Sequence, residues 1–149
     1  MSVYEMIRDS MATTVPFARH TKISLLNVSA GSATTELTQA PETTNHMGSV
    51  HAGAIFTLAE TAAGGAVAGG FAPFMLNMKA FPTEMSIKLQ RPASRRITAT
   101  AVIGSKLGDL QDRLKTDRKV TFNADVAILS EEGAAIGTFY SQWTVKLRT

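Results

Sequence analysis

Three polar residues of types that can act on a carbonyl lie close together in the chain: Asn45, His51 six positions on, and Glu60 nine positions further. All lie in the run "NHMGSVHAGAIFTLAETAAGGAVAGG", which begins polar and turns almost wholly small and apolar. Glu60 is the one carboxylate in the apolar part. A carboxylate taken out of water is costly unless it is paired, hydrogen-bonded or kept for reaction. Such a group can act as a general base on water or attack a carbonyl itself. Taken alone, Glu60 reads better as an exposed or salt-bridged glutamate.

The residues from His51 to Gly53 lead into a helix, whose first N–H groups have no intrahelical acceptor and sit at the positive end of its dipole. Small side chains at Ser49, Ala52, Gly53 and Ala54 leave room for another group to approach. An oxygen gaining negative charge could be held there, as in an oxyanion hole. From local pattern alone, an ordinary helix cap through Ser49 or a neighbour explains the same residues better. Asn45 and His51 could hydrogen-bond a carbonyl or place a water, and His51 serves as well in a structural role. His20 and His46 read as surface residues. Arg91, Arg95 and Arg96 cluster in "QRPASRR". Guanidinium groups suit phosphate oxygens, although a basic turn between strands is more often simply solvated.

These residues need elements to hold them. Ile55, Leu58, Ala59, Ala62 and Ala66 recur at helical spacing and predict a long helix over residues 52–70. Gly64, Gly65, Gly69 and Gly70 each cost about 1 kcal/mol in a helix interior relative to Ala. They imply close packing against a sheet or early termination of the helix. Val3 to Met11 predicts a short N-terminal helix, and Ile23–Val28 with Ser32–Thr38 predicts a hairpin turning through Ser29-Ala30-Gly31. A polar loop, 40–50, precedes the long helix, and a loop through Pro73 and Pro82 follows it.

Beyond that loop the pattern is mostly period two. Met85, Ile87 and Leu89 share one face, as do Ile97, Ala99, Ala101 and Ile103. Val120, Phe122, Ala124, Val126 and Ile128 give the clearest alternation in the chain. Gly133 turns into a last strand, and Leu107, Leu110 and Leu114 predict a short inserted helix. The expected architecture is therefore α+β: a hairpin, one long helix and a meander of about four strands, with the antiparallel sheet wrapped around the helix. Met75, Met78 and Met85 read as core or pocket lining.

At 149 residues the chain suits one domain. With no cysteine it can form no disulfide or zinc–thiolate site, and three histidines speak against a histidine-rich metal site. A net charge of +3 without an aromatic-interleaved basic motif does not indicate nucleic-acid binding. The run 52–76 contains an acid, glycines and Pro73 and has too few large aliphatic residues to span a membrane. The N-terminus lacks the apolar core of a signal peptide, so the expectation is a cytoplasmic protein.

"NHMGSVHAGAIFTLAE" resembles the signature of hotdog-fold acyl-CoA thioesterases of the phenylacetyl-CoA thioesterase-like branch. That signature is Asn, then His-Gly-Gly six residues later, then Leu-Ala-Asp or Leu-Ala-Glu. Here the matching residues are Asn45, His51-Ala52-Gly53 and Leu58-Ala59-Glu60. "EMSIKLQRPA" resembles the family's strand after the helix, and "LGDLQDRLKTDRK" is similar to a short helix inserted in one poorly characterised branch. The resemblance implies one hotdog domain over 1–149 that hydrolyses an acyl-CoA, with no metal and no cofactor beyond the coenzyme A of the substrate. It implies a homodimer, or a tetramer of dimers, in which Glu60 meets substrate bound mainly to the other subunit as base or nucleophile. The N–H groups near Ala52 and Gly53 would polarise the carbonyl, supported by His51 and Asn45. Ala54, Thr83, Arg91, Arg95 and Arg96 would be substrate contacts. Ala52 departs from the family's first glycine and Glu60 from its commoner Asp. A hotdog dehydratase or hydratase, or a non-catalytic acyl-CoA-binding module, are the alternatives.

Overall fold

A computed structural model describes residues 1–149. The Ser2 hydroxyl accepts from the Glu5 N–H, and the Glu5 carboxylate accepts from the Ser2 N–H. This reciprocal cap opens α1 (Val3–Thr14). Pro16 then starts a short helix that the sequence pattern does not announce, α2 (Pro16–His20). The hairpin is β1 (Ile23–Ser29) and β2 (Ser32–Thr38). Ser29, expected in the turn, belongs to β1, and Gly31 supplies the left-handed residue at φ 81°. The long helix, α3 (Ala52–Gly70), has the expected limits. After it come β3 (Met78–Leu89), β4 (Arg96–Ile103), α4 (Leu107–Asp117), β5 (Lys119–Ser130) and β6 (Ala135–Leu147).

All six strands form one antiparallel sheet in the order β1-β2-β4-β5-β6-β3. The expected meander holds only for β4, β5 and β6. The strand β3 instead pairs with β6 at the far edge, and β4 joins β2. Alternation tells which face of a strand is buried but not which strand lies beside it, so the sequence pattern could not separate the two arrangements. Pro82, expected in a loop, lies within β3 beside a bulge between Pro82 and Glu84. An edge strand tolerates a residue with no N–H to donate.

The link from β3 to β4 crosses the entrance of α3. The Gln90 N–H donates to the Ile136 carbonyl, the Val50 N–H to the Ala93 carbonyl, and the Gln39 N–H to the Arg95 carbonyl. Those bonds tie the crossover to β6, to the loop before α3, and to the end of β2.

The sheet wraps α3 so closely that every α3 residue from Ala54 to Gly70 is buried except Phe56, Glu60 and Gly64. Leu37, Ile97, Ala99, Ala101, Ala124, Ile128 and Val145 supply the inner face of the sheet. The buried Thr35 hydroxyl donates to the Leu58 carbonyl at 2.8 Å, pinning mid-helix to β2. Close approach explains Gly65, Gly69 and Gly70, but not Gly64, where an added Cβ would meet nothing nearer than 3.7 Å. A Cβ on Gly65 would sit 2.9 Å from the Ala33 Cβ, and one on Gly69 would sit 2.1 Å from the Ser29 carbonyl oxygen. Early termination does not occur, since α3 runs through all four glycines to Gly70, whose end carbonyl accepts from the Gln111 side chain of α4 at 2.8 Å. A long central helix wrapped by an antiparallel sheet is the hotdog architecture.

Candidate active site

Phe56, Glu60 and Gly64 stand at intervals of four and form the one stripe of α3 that the sheet leaves open. Beside that stripe lies a cavity of about 320 Å³ lined by Glu60, Gly64, Val67, Ala68, Met11 of α1, Met75, Met78, Ala80 and Trp143. Glu60 is its one ionisable lining residue. It makes no hydrogen bond or ion pair within the chain, and burial raises its pKa above the ordinary carboxylate value. The Trp143 indole N–H donates to the Ser141 hydroxyl at 2.9 Å, and that hydroxyl donates to the Ala124 carbonyl at 2.6 Å. The cavity wall there is therefore rigid and internally satisfied.

The loop before α3 forms a second, separate pocket of about 340 Å³, whose lining includes Asn45, Met47, Ser49, Ala52, Ile55 and Arg91. Asn45 organises this loop. Its Oδ1 accepts from the Met47 N–H at 2.9 Å and the Ser49 N–H at 3.1 Å, while its Nδ2 donates to the Ser49 hydroxyl at 2.9 Å. Gly48, at φ 82°, makes the turn inside that bracket. Replacing Asn45 by Ala leaves two loop amides without their acceptor. It is expected to cost about 1 kcal/mol, read as a lower denaturation midpoint.

His51 caps α3: its Nδ1 accepts from the Gly53 N–H at 2.8 Å, which places the ring proton on Nε2. That bond differs from the expectation for Gly53, because the Gly53 amide is already engaged by the histidine. The Ala54 amide is engaged too, donating to the His51 carbonyl at 2.9 Å, and Ala54 itself is buried. Among the first three amides of α3, the Ala52 N–H alone has no partner in the chain. The expected cap through Ser49 is supplied instead by His51.

The remaining candidates separate. Arg91 makes no ion pair and lines the loop pocket. Arg95 is ion-paired with Glu131 and Glu132, and Arg96 with Glu36, whose carboxylate it meets at 2.7 Å through Nε. Neither lines that pocket, because the crossover carries them past it to β2 and the turn before β6. Thr83 occupies the bulge of β3, exposed, donating to Gln142, and lines neither pocket. His20 and His46 are exposed. Met75 and Met78 line the Glu60 cavity, and Met85 packs on the core.

The residues missed in the sequence are those that wall the Glu60 cavity from other elements: Met11, Ala80 and Trp143. Gly64 was findable, since four-residue spacing puts it beside Glu60 on any helix. The other three carry no local mark of their role.

The open helix stripe, the wrapped antiparallel sheet and the loop-capped helix entrance give the molecule the hotdog fold. The chain belongs to the family described as a domain of unknown function, DUF4442, whose model matches residues 4–145. No curated protein matches it. Among solved structures it is similar to a Pseudomonas aeruginosa protein of unknown function described as a probable thioesterase, with TM-score 0.83 and 22% identity over 97% of this chain and 95% of that one. It is also similar to the Escherichia coli PaaI protein of the phenylacetic acid degradation operon, with TM-score 0.76 and 19% identity over 99% and 94% of the two chains. A Chlorobaculum tepidum protein of unknown function gives TM-score 0.85 at 16% identity over 99% and 95%.

Proposed function

We propose that the protein hydrolyses an acyl-CoA thioester to the free acid and CoA, acting as a homodimer joined through β3. The observation that carries this reading is the separation of the site into two halves on one chain. One half is a partnerless, desolvated Glu60 in an apolar cavity; the other is a free Ala52 N–H at the entrance of the same helix. The strand β3 joins the two. Met78 and Ala80 at its start line the Glu60 cavity, and Leu89 at its end lines the loop pocket. Its outer edge is unpaired over twelve residues, a template for another strand. Antiparallel pairing of two such edges sets the start of one against the end of the other, bringing Glu60 of one protomer towards Ala52 of the partner subunit. Met75, Leu76, Phe81 and Leu89, exposed at the two ends of that edge, would be covered by the same contact.

In the resulting site the Ala52 N–H and the positive end of α3 draw electron density onto the thioester oxygen. Glu60 takes a proton from water as the hydroxide adds to the carbonyl carbon. The tetrahedral intermediate collapses with cleavage of the C–S bond, and the proton held by Glu60 passes to the departing CoA thiolate. The apolar cavity beside Glu60 takes the acyl group, and Asn45 and His51 keep the loop and the helix entrance in shape. The phenylacetic acid context of the PaaI protein and the thioesterase description of the Pseudomonas protein agree with such a substrate class.

The test is release of thiol from a panel of aliphatic and aryl acyl-CoAs, together with sedimentation. Turnover of at least one member by a particle of twice 15.9 kDa, or a multiple of that dimer, is expected. Folded protein that releases no thiol from any member would sink the hydrolase reading, and a stable monomer would leave half of the site missing.

A further inference from the structure

Lys79, Lys146 and Lys119 form a row across three neighbouring strands. In register, Lys79 faces Lys146 on β6, and Lys146 faces Lys119 on β5. All three are exposed on the outer face of the sheet, while Val120 and Val145 beside them point into the core. Directly opposed residues have Cβ atoms about 5 Å apart, and like charges at that spacing destabilise a sheet. No carboxylate relieves them, since none of the three lysines takes part in an ion pair.

Two arginines, also without ion pairs, extend the row. Arg118 donates to the Arg148 carbonyl at 2.8 Å, and Arg148 donates to the Met78 carbonyl at 3.2 Å. These bonds to neutral carbonyls fix the guanidinium groups in place and leave their charge unanswered. Lys79, Lys146 and Arg148 line a cleft of about 390 Å³ with Leu147 and Thr149. The Lys146 ammonium also lies 5.8 Å from the centre of the Phe81 ring, which orients it without neutralising it. By contrast Arg8, Lys22, Arg95 and Arg96 each have a carboxylate.

The row lies at the start of β3, where Met78 and Ala80 line the Glu60 cavity from the opposite face. The other end of β3, by the loop pocket, is roughly 30 Å away at about 3.3 Å per residue. The row therefore stands near its own Glu60 and far from its own Ala52. We propose that Lys79, Lys146 and Lys119, with Arg118 and Arg148, hold the phosphates at the nucleotide end of the acyl-CoA whose thioester lies between Glu60 of the same protomer and Ala52 of the partner subunit. This rests on the thioester reading above and assigns the phosphate contacts to residues outside the "QRPASRR" cluster.

The experiment compares the parent with a Lys79→Gln/Lys146→Gln variant, using an acyl-CoA, the matching acyl-pantetheine thioester without phosphates, and adenosine 3′,5′-bisphosphate. Both lysines are exposed and mutually repulsive, so the variant should fold at least as well as the parent. Its KM for the acyl-CoA should rise about tenfold or more at unchanged kcat, with KM for the pantetheine thioester unmoved. Calorimetric affinity for the bisphosphate should fall in parallel, and added salt should weaken the parent more than the variant. Equal KM values and equal bisphosphate affinity in the two proteins would overturn the assignment while leaving hydrolysis intact. A parent that binds the bisphosphate through these lysines but releases no thiol would uphold the row and refute the hydrolase reading.

Discussion

Glu60→Gln is expected to lower thioester hydrolysis by about a thousandfold while the protein keeps its fold and its affinity for acyl-CoA. The amide fills nearly the same volume on the open stripe of α3 but cannot accept a proton from water. Burial raises the Glu60 pKa, and no cation or donor in the chain opposes that shift. The acid limb of kcat/KM in the parent should therefore lie above the ordinary carboxylate range, because the base must be ionised to work. Stability gives a second readout with a definite sign. Between the ordinary and the raised pKa the folded state binds more protons than the unfolded one, so Glu60 makes stability fall as pH rises through that window. Glu60→Gln should be more stable than the parent at neutral pH, with the gain fading as pH falls through the raised pKa and gone below about 4. Melting curves of both proteins across that range check the sign. A variant that hydrolyses at the parent rate would remove Glu60 from the chemistry, whatever its stability.

Most of what places Glu60 could be read in the sequence, because helical and two-residue periods report burial directly. The limits of α3 and the buried faces of β4 and β5 follow from spacing alone. Neighbour relations could not be read. The place of β3 beside β6, and not beside β4, depends on a crossover whose only local marks are Pro92 and Ala93, and this one fact decides which pocket Arg91 joins. Side-chain partners were equally hidden. Nothing in "QRPASRR" shows that Arg95 will meet Glu131 and Glu132 while Arg91 stays free. The cap on α3 illustrates a third limit, since the pattern points to Ser49 or a neighbour and only the geometry of the turn selects His51. The row of lysines needs three registers at once, so it becomes visible only when β3, β6 and β5 are laid side by side.

Two glycines of α3, five positions apart, should respond to the same substitution with opposite signs. In Gly69→Ala the new methyl would lie 2.1 Å from the Ser29 carbonyl oxygen and 2.8 Å from a Val28 methyl. The first obstacle is backbone at the end of β1, held by the hairpin, so it cannot turn aside as a side chain could. Either α3 or the hairpin must move, and the expected loss is about 3 kcal/mol, against a gain of about 1 kcal/mol from helix propensity. In Gly64→Ala the methyl meets nothing nearer than 3.7 Å, at Met11 and Trp143, which is ordinary contact. The propensity gain then stands, and the variant should be more stable by up to about 1 kcal/mol. Denaturant unfolding of the two variants measures both. Equal stabilities would mean that the closeness of α3 to β1 does not set the glycine pattern. The difference also bears on the site. The glycines at 65 and 69 draw α3 onto the hairpin on one side, which is what leaves Phe56, Glu60 and Gly64 uncovered on the other. If the hairpin gives way in Gly69→Ala, hydrolysis should fall along with stability, because the stripe carrying Glu60 would turn with the helix. Gly64→Ala keeps the helix in place and only narrows the cavity, so it should retain activity on small acyl groups and lose it on larger ones.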